Sequence, residues 1–207
     1  FFRSHMRKII ITRADGEGGS GRYVSKNNQN IARVDSLAAM FPEATVLVPF
    51  RDPLQQSASL LEQHRSFLET HRRDSFARDY MRGIGHFDFG LNLRPVDFEG
   101  WLHDWTMDET LHLEFWLRYW TAAYRHLREQ HAETVCFVCY EHFCADAKTS
   151  FAALADAIDC TDREALLVRA SSMHAPRMRD VPTADIDASF VRESQETYAS
   201  LQEIALN

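Results

Sequence analysis

A chain of 207 residues, 45% hydrophobic and 26% charged, is long enough to bury one sizeable core and reads as a single domain over residues 1–207. Its formal charge of −7 argues against a general nucleic-acid-binding surface but leaves room for a local basic pocket that takes a small anion. No apolar run reaches the length of a membrane span.

Residues 1–12 predict a helix, with Phe2, Met6, Ile9 and Ile10 on one face and Arg3, Arg7 and Lys8 mostly elsewhere. The chain opens at Phe1 on what reads as the middle of this helix, so a piece of a longer protein is expected. Residues 14–21 carry four glycines, Gly16, Gly18, Gly19 and Gly21. They resemble a phosphate-cradling loop without the Gly-Lys-Ser/Thr ending, and a flexible surface loop is the other reading. Residues 22–26 predict a short strand ending in Lys26, and 27–30 a polar turn. Asn30 is placed to cap a helix over 31–41, whose apolar face carries Ile31, Val34, Leu37, Ala38 and Phe41 before Pro42 ends it.

Residues 45–50 are an apolar, β-branched run too short for a helix and predict a buried strand. Arg51-Asp52-Pro53 follows at once. Asp52 is a good N-cap, Pro53 suits the first helical position and Gln55 sits where a capping partner would. A helix to about residue 73 is expected, with Leu54, Ala58, Leu61, Arg65 and Leu68 on one stripe. Arg51 then stands at the carboxyl edge of a strand, beside a helix N-terminus, where open α/β sheets bind ligands. Its planar fork of donors suits a phosphate or sulfate, although a plain turn with a surface ion pair gives the same tripeptide.

Residues 74–105 are poorly periodic and aromatic, with Gly83-Ile84-Gly85-His86-Phe87-Asp88-Phe89-Gly90 at their centre, and predict a lid or an acceptor wall. Thr106 and Glu109 form a capping box for a long helix to about residue 130. Leu113, Trp116, Leu117, Trp120, Tyr124 and Leu127 on it read as core. Residues 135–140 predict a second buried strand with Glu141 at its carboxyl edge. Cys136 and Cys139 with His142 allow a zinc reading, but a second ligand pair at finger-like spacing is missing, and buried free thiols in a reducing compartment are the other reading. Asp146 caps a helix to about 158 and Thr161 with Glu164 boxes another to about 170. A basic loop over 171–182 holds His174, Arg177 and Arg179, and a helix over about 189–204 closes the chain. Strand and helix alternate with short joins, so an α/β fold with a parallel sheet is expected.

Three separated features carry a family resemblance. They are Tyr23-Val24-Ser25-Lys26-Asn27-Asn28-Gln29-Asn30 ahead of a helix ending in Phe41-Pro42-Glu43-Ala44, a strand followed by Arg51-Asp52-Pro53 with Ser59 further on, and a strand followed by Tyr140-Glu141. In order and spacing the chain resembles, from Arg22 to Ile158, the bacterial-type sulfotransferases that use 3′-phosphoadenosine 5′-phosphosulfate (PAPS) as co-substrate. The resemblance implies a three-layer α/β/α, P-loop NTPase-like fold whose N-terminal part, with the 5′-phosphosulfate loop, is expected before residue 1. It implies that Arg51 and Ser59 grip the 3′-phosphate and that Lys26 is the active-site lysine. Sulfuryl transfer builds negative charge on the leaving phosphate oxygen, which a lysine there would stabilise without a metal. The Lys-Thr-His turn of the cytosolic sulfotransferases, whose His is the catalytic base, is Lys26-Asn27-Asn28 here, and Asn28 cannot accept a proton at neutral pH. His86 and Asp88 are the candidates for a base. The implied acceptor is a hydroxyl or amine of a small molecule or glycan, with no nucleic-acid partner and a cytoplasmic location. Two alternatives remain: a catalytically inactive nucleotide-binding or scaffolding relative, and a P-loop kinase relative.

Overall fold

The computed structural model describes residues 1–13, 21–98, 100–103, 105–175 and 178–206. They fall into two compact units, Phe1–Asn30 and Ile31–Asn207.

In the first unit, α1 (Phe2–Arg13) forms as its amphipathic pattern predicts. Phe2 meets Tyr23 edge to face with ring centroids 6.4 Å apart. A Cβ on Gly21 would stand 2.7 Å from Ile10 Cγ2, so the segment that starts there runs close against α1. The strand expected over 22–26 does not form: residues 21–27 have no regular secondary structure, and no second strand pairs with them among the described residues. The glycine-rich stretch falls, Gly21 apart, outside the described residues.

The second unit holds the sheet. The helix expected from 31 starts later, as α2 (Val34–Met40), with Arg33 at its N-cap. Asn30 lies instead inside a 3-10 turn, Asn28–Ala32, and its N–H is spent on the Asn27 carbonyl. Then β1 (Leu47–Phe50) runs into α3 (Pro53–Arg73), which has the predicted bounds. The Asp52 carboxylate caps α3 by accepting from the Gln55 N–H at 2.9 Å. A second Asx cap, Asp74 accepting from the Ala77 N–H, opens α4 (Ser75–Gly83), so the first part of the expected lid is helical. Further along, α5 (Leu113–His131) leads to β2 (Cys136–Cys139), α6 (Tyr140–Ala145), α7 (Ala147–Ala157), α8 (Arg163–Val168) and α9 (Ala188–Ile204). The Thr106–Glu109 box forms, but it closes a 3-10 turn (Glu109–Leu111) ahead of α5. The cap of α8 is Asp162, not Thr161.

The three-layer α/β/α arrangement with a parallel sheet is present only in part. The structure is mostly helical, and its described residues form a two-stranded parallel sheet, Leu47 opposite Cys136 through Phe50 opposite Cys139. Among the described residues, only these two runs are both apolar and seated against a neighbouring strand. The Leu206 N–H donates to the Phe137 carbonyl, so the chain after α9 closes part of the outer edge of β2. The core beneath is aromatic: Phe50, Phe137, Trp120, Tyr124, Leu127 and Leu201 are all buried together. The rings expected to wall an acceptor site are used differently. Phe89, Leu93 and Trp101 pack on Phe115 and Trp116, with Trp101 stacked on Tyr119 at 5.1 Å. Burial of that much aromatic surface stabilises the loop over 84–112 against α3 and α5.

Candidate functional site

The turn between β1 and α3 is pinned on every side. The Arg51 N–H donates to Gln56 Oε1 at 3.3 Å. Gln56 Oε1 also accepts from Trp120 Nε1 at 3.1 Å, and Gln56 Nε2 donates to the Tyr124 hydroxyl at 3.3 Å. The Tyr124 hydroxyl donates to the Pro49 carbonyl at 2.7 Å. Burial pushes the Tyr124 phenol up to about 12, so its proton stays in place for that bond. On the other side, Glu141 Oε1 accepts from the Asp52 N–H at 3.1 Å, which ties the carboxyl ends of the two strands together.

The Arg51 side chain leaves this turn half-buried. Its guanidinium carbon lies 5.8 Å from the centre of the Tyr140 ring. Its Nε–H is shielded from water and has no partner, and among the described residues no carboxylate pairs with the guanidinium. A cation held next to a helix N-terminus with a donor left over is the chemistry of an oxyanion site. Ser59 is half-buried on α3 at i+7 from Asp52, and its hydroxyl has no hydrogen bond among the described residues.

The segment after α8 closes over the same helix start. Gln55 Nε2 donates to the Arg179 carbonyl at 2.9 Å, and Gln55 Oε1 accepts from the Arg179 N–H at 2.9 Å. The Arg179 guanidinium pairs with Glu62, one face further along α3. Arg177, expected in this basic loop, falls outside the described residues.

His86 and Asp88 form a second cluster. His86 Nε2 is 3.8 Å from Asp88 Oδ2, and the imidazole stacks on Phe67 with ring centroids 5.2 Å apart. Phe67 lies about 21 Å along α3 from Pro53, at 1.5 Å per residue. The structure therefore brings Arg51 and Ser59 to one end of α3 and the His86–Asp88 pair toward the other. Lys26 belongs to the first unit, where it is exposed.

Several residues escape a reading of the sequence. Gln55 and Gln56 share a face with Ser59, which suggests that they turn to a ligand, but their amides are spent on Arg179, Trp120 and Tyr124. The buried face of α3 runs through Ser57, Leu61, His64, Leu68 and His71; of the predicted stripe it keeps Leu61 and Leu68, while Leu54, Ala58 and Arg65 lie off it. The two histidines hide it, although the 3- and 4-residue steps between them and the leucines are visible. All four cysteines are free thiols, with Cys139 buried and the others half-buried.

A family model described as "Sulfotransferase family" matches residues 1–164. No curated protein and no solved structure matches the chain.

Proposed function

The chain belongs to the sulfotransferase family, and from that premise we propose that it transfers a sulfuryl group from PAPS to a hydroxyl or amine of a small molecule or glycan. Residues 1–207 act as a single domain in this reading, within a P-loop-like α/β/α fold. Two strands that run parallel and each pass at their carboxyl ends into a helix support that fold.

One observation carries the proposal: Arg51, half-buried at the carboxyl end of β1, has a water-shielded Nε–H with no acceptor and no carboxylate beside it among the described residues. A nucleotide 3′-phosphate supplies the missing acceptor and charge. Ser59, with its unspent hydroxyl on the first turns of α3, adds a neutral donor. Lys26 stabilises the negative charge that develops on the leaving phosphate oxygen. His86 and Asp88 take the acceptor proton. A base must reach the same acceptor atom that attacks sulfur, so this role requires the phosphosulfate end of PAPS to extend from Arg51 toward the His86–Asp88 pair. PAPS itself supplies the activated sulfuryl group; the chain supplies grip, orientation and charge.

A second reading, nucleotide binding without transfer, draws on Asn28, which stands where a catalytic histidine is found in cytosolic relatives and cannot accept a proton. One assay separates the two. The full-length protein is incubated with PAPS and a panel of phenols, amines and glycans, and acceptor-dependent release of adenosine 3′,5′-bisphosphate is followed. Release with formation of a sulfated product supports the transferase. Nucleotide binding with no release across the panel supports the binding protein.

A further inference from the structure

The Glu141 carboxylate is met from two directions. Oε1 accepts the Asp52 N–H at 3.1 Å and Oε2 accepts the Cys139 thiol at 3.5 Å. The Tyr198 hydroxyl of α9 lies 3.9 Å from the same Cys139 Sγ. That hydroxyl accepts from Gln202 Nε2 at 3.2 Å, one turn further along α9, which leaves its own proton for the sulfur. Burial pushes both the Tyr198 phenol and the Cys139 thiol up, so both keep their protons, Tyr198 facing Cys139 and Cys139 donating to the carboxylate, and α9 reaches Glu141 through Cys139. The Tyr198 ring also packs edge-on against Phe50 at 5.8 Å, directly before Arg51.

The consequence falls on Arg51. Its own N–H is held by Gln56 Oε1, and the N–H of the next peptide, at Asp52, is held by Glu141. Those two peptide planes flank one α-carbon, so together they fix φ and ψ of Arg51 and the direction in which its side chain leaves. The Gln56 half of this clamp is built from α3 and α5. The Glu141 half is braced by α9, which lies beyond the residues that the family model matches.

We infer that Glu141 and Tyr198 are positioning residues for Arg51: α9 braces Glu141, Glu141 holds the Asp52 N–H, and that bond aims the guanidinium at the nucleotide 3′-phosphate. The inference rests on the nucleotide reading of the site given above. Neither residue touches the ligand; both act through the backbone of the turn.

The test is calorimetric titration of adenosine 3′,5′-bisphosphate and adenosine 5′-phosphate into the full-length protein, Tyr198→Phe, Arg51→Ala and the double variant, with thermal melting as the check on folding. Tyr198→Phe keeps the ring against Phe50 and deletes one hydroxyl. It is expected to weaken the bisphosphate about fivefold, as for one lost neutral hydrogen bond. It should leave the 5′-monophosphate within about twofold and add nothing in the Arg51→Ala background. Equal bisphosphate affinity for wild type and Arg51→Ala would sink the nucleotide reading and the inference with it. A loss in Arg51→Ala with none in Tyr198→Phe, or a Tyr198→Phe loss that is additive or shared by both nucleotides, overturns the inference alone. Should Tyr198→Phe melt early, Glu141→Ala, which removes the acceptor for the Asp52 N–H, enters the same cycle with the same expected pattern.

Discussion

Gln56, half-buried, and His64, fully buried, show how single polar groups set the state of this protein. Gln56 gives one oxygen to two donors, Arg51 N–H and Trp120 Nε1. Gln56→Leu leaves both without an acceptor and is expected to cost about 3 kcal/mol in urea denaturation, since each stranded buried donor costs on the order of 1–3 kcal/mol. His64 is fully buried, with Nδ1 accepting from the Gly90 N–H at 3.1 Å and Nε2 lying 2.9 Å from Thr110 Oγ1. Because Nδ1 accepts, the proton sits on Nε2 and is donated to Thr110. Burial first, then the charges of Arg65 and Arg72, lower its pKa from 6.5 to about 4. Between those values the unfolded chain binds a proton that the folded one excludes. The contribution is therefore complete above pH 6.5, declines as the pH falls, and is gone below about 4. Over that window the stability difference between wild type and His64→Gln should shrink by about 3 kcal/mol, at ~1.4 kcal/mol per pKa unit. Urea melts of both proteins at about pH 7.5 and pH 4 read this directly, and a constant difference contradicts it.

At the scale of the elements, the hinge between α4 and the aromatic loop depends on Gly90. Its φ is +70°, and a Cβ there would lie 2.6 Å from His71 Nδ1 and 3.0 Å from Phe67 Cβ. Gly90→Ala is expected to destabilise by about 3 kcal/mol, from the left-handed backbone and the clash together. Gly83→Ala, where nothing stands within 4 Å, should be neutral or slightly stabilising in the same thermal melts. The elements differ in how far they can be read from sequence. The bounds of α3 and its Asp52 cap follow from local chemistry: a capping carboxylate, Pro53 and a long apolar period. The same local signals fail at 22–26, because a strand needs a partner and the composition of five residues does not supply one. The 74–105 stretch looks like a surface wall because its rings lack a helical period. Those rings instead fill the space between α3 and α5, a tertiary fact with no local signature. Arg51 and Glu141 are each visible at a strand end, but the bond that joins Asp52 to Glu141 spans distant parts of the chain and needed coordinates.

At the scale of the whole molecule, family membership and the Arg51 turn support one reading from independent directions. The backbone of the turn is held by side chains from α3, α5 and α6, and Glu141 of α6 takes the thiol of Cys139, which Tyr198 of α9 approaches, so the peptide planes on either side of Arg51 are set before any ligand arrives. Preorganised in this way, a charge-assisted pair with a phosphate is worth about 3 kcal/mol, or on the order of a hundredfold in affinity. The most direct measurement is the affinity of the full-length protein for adenosine 3′,5′-bisphosphate, with and without Arg51. The account predicts clear binding by wild type, weaker binding of adenosine 5′-phosphate, and an approximately hundredfold loss for the bisphosphate in Arg51→Ala. Equal affinities for the two nucleotides, undisturbed by Arg51→Ala, would contradict it.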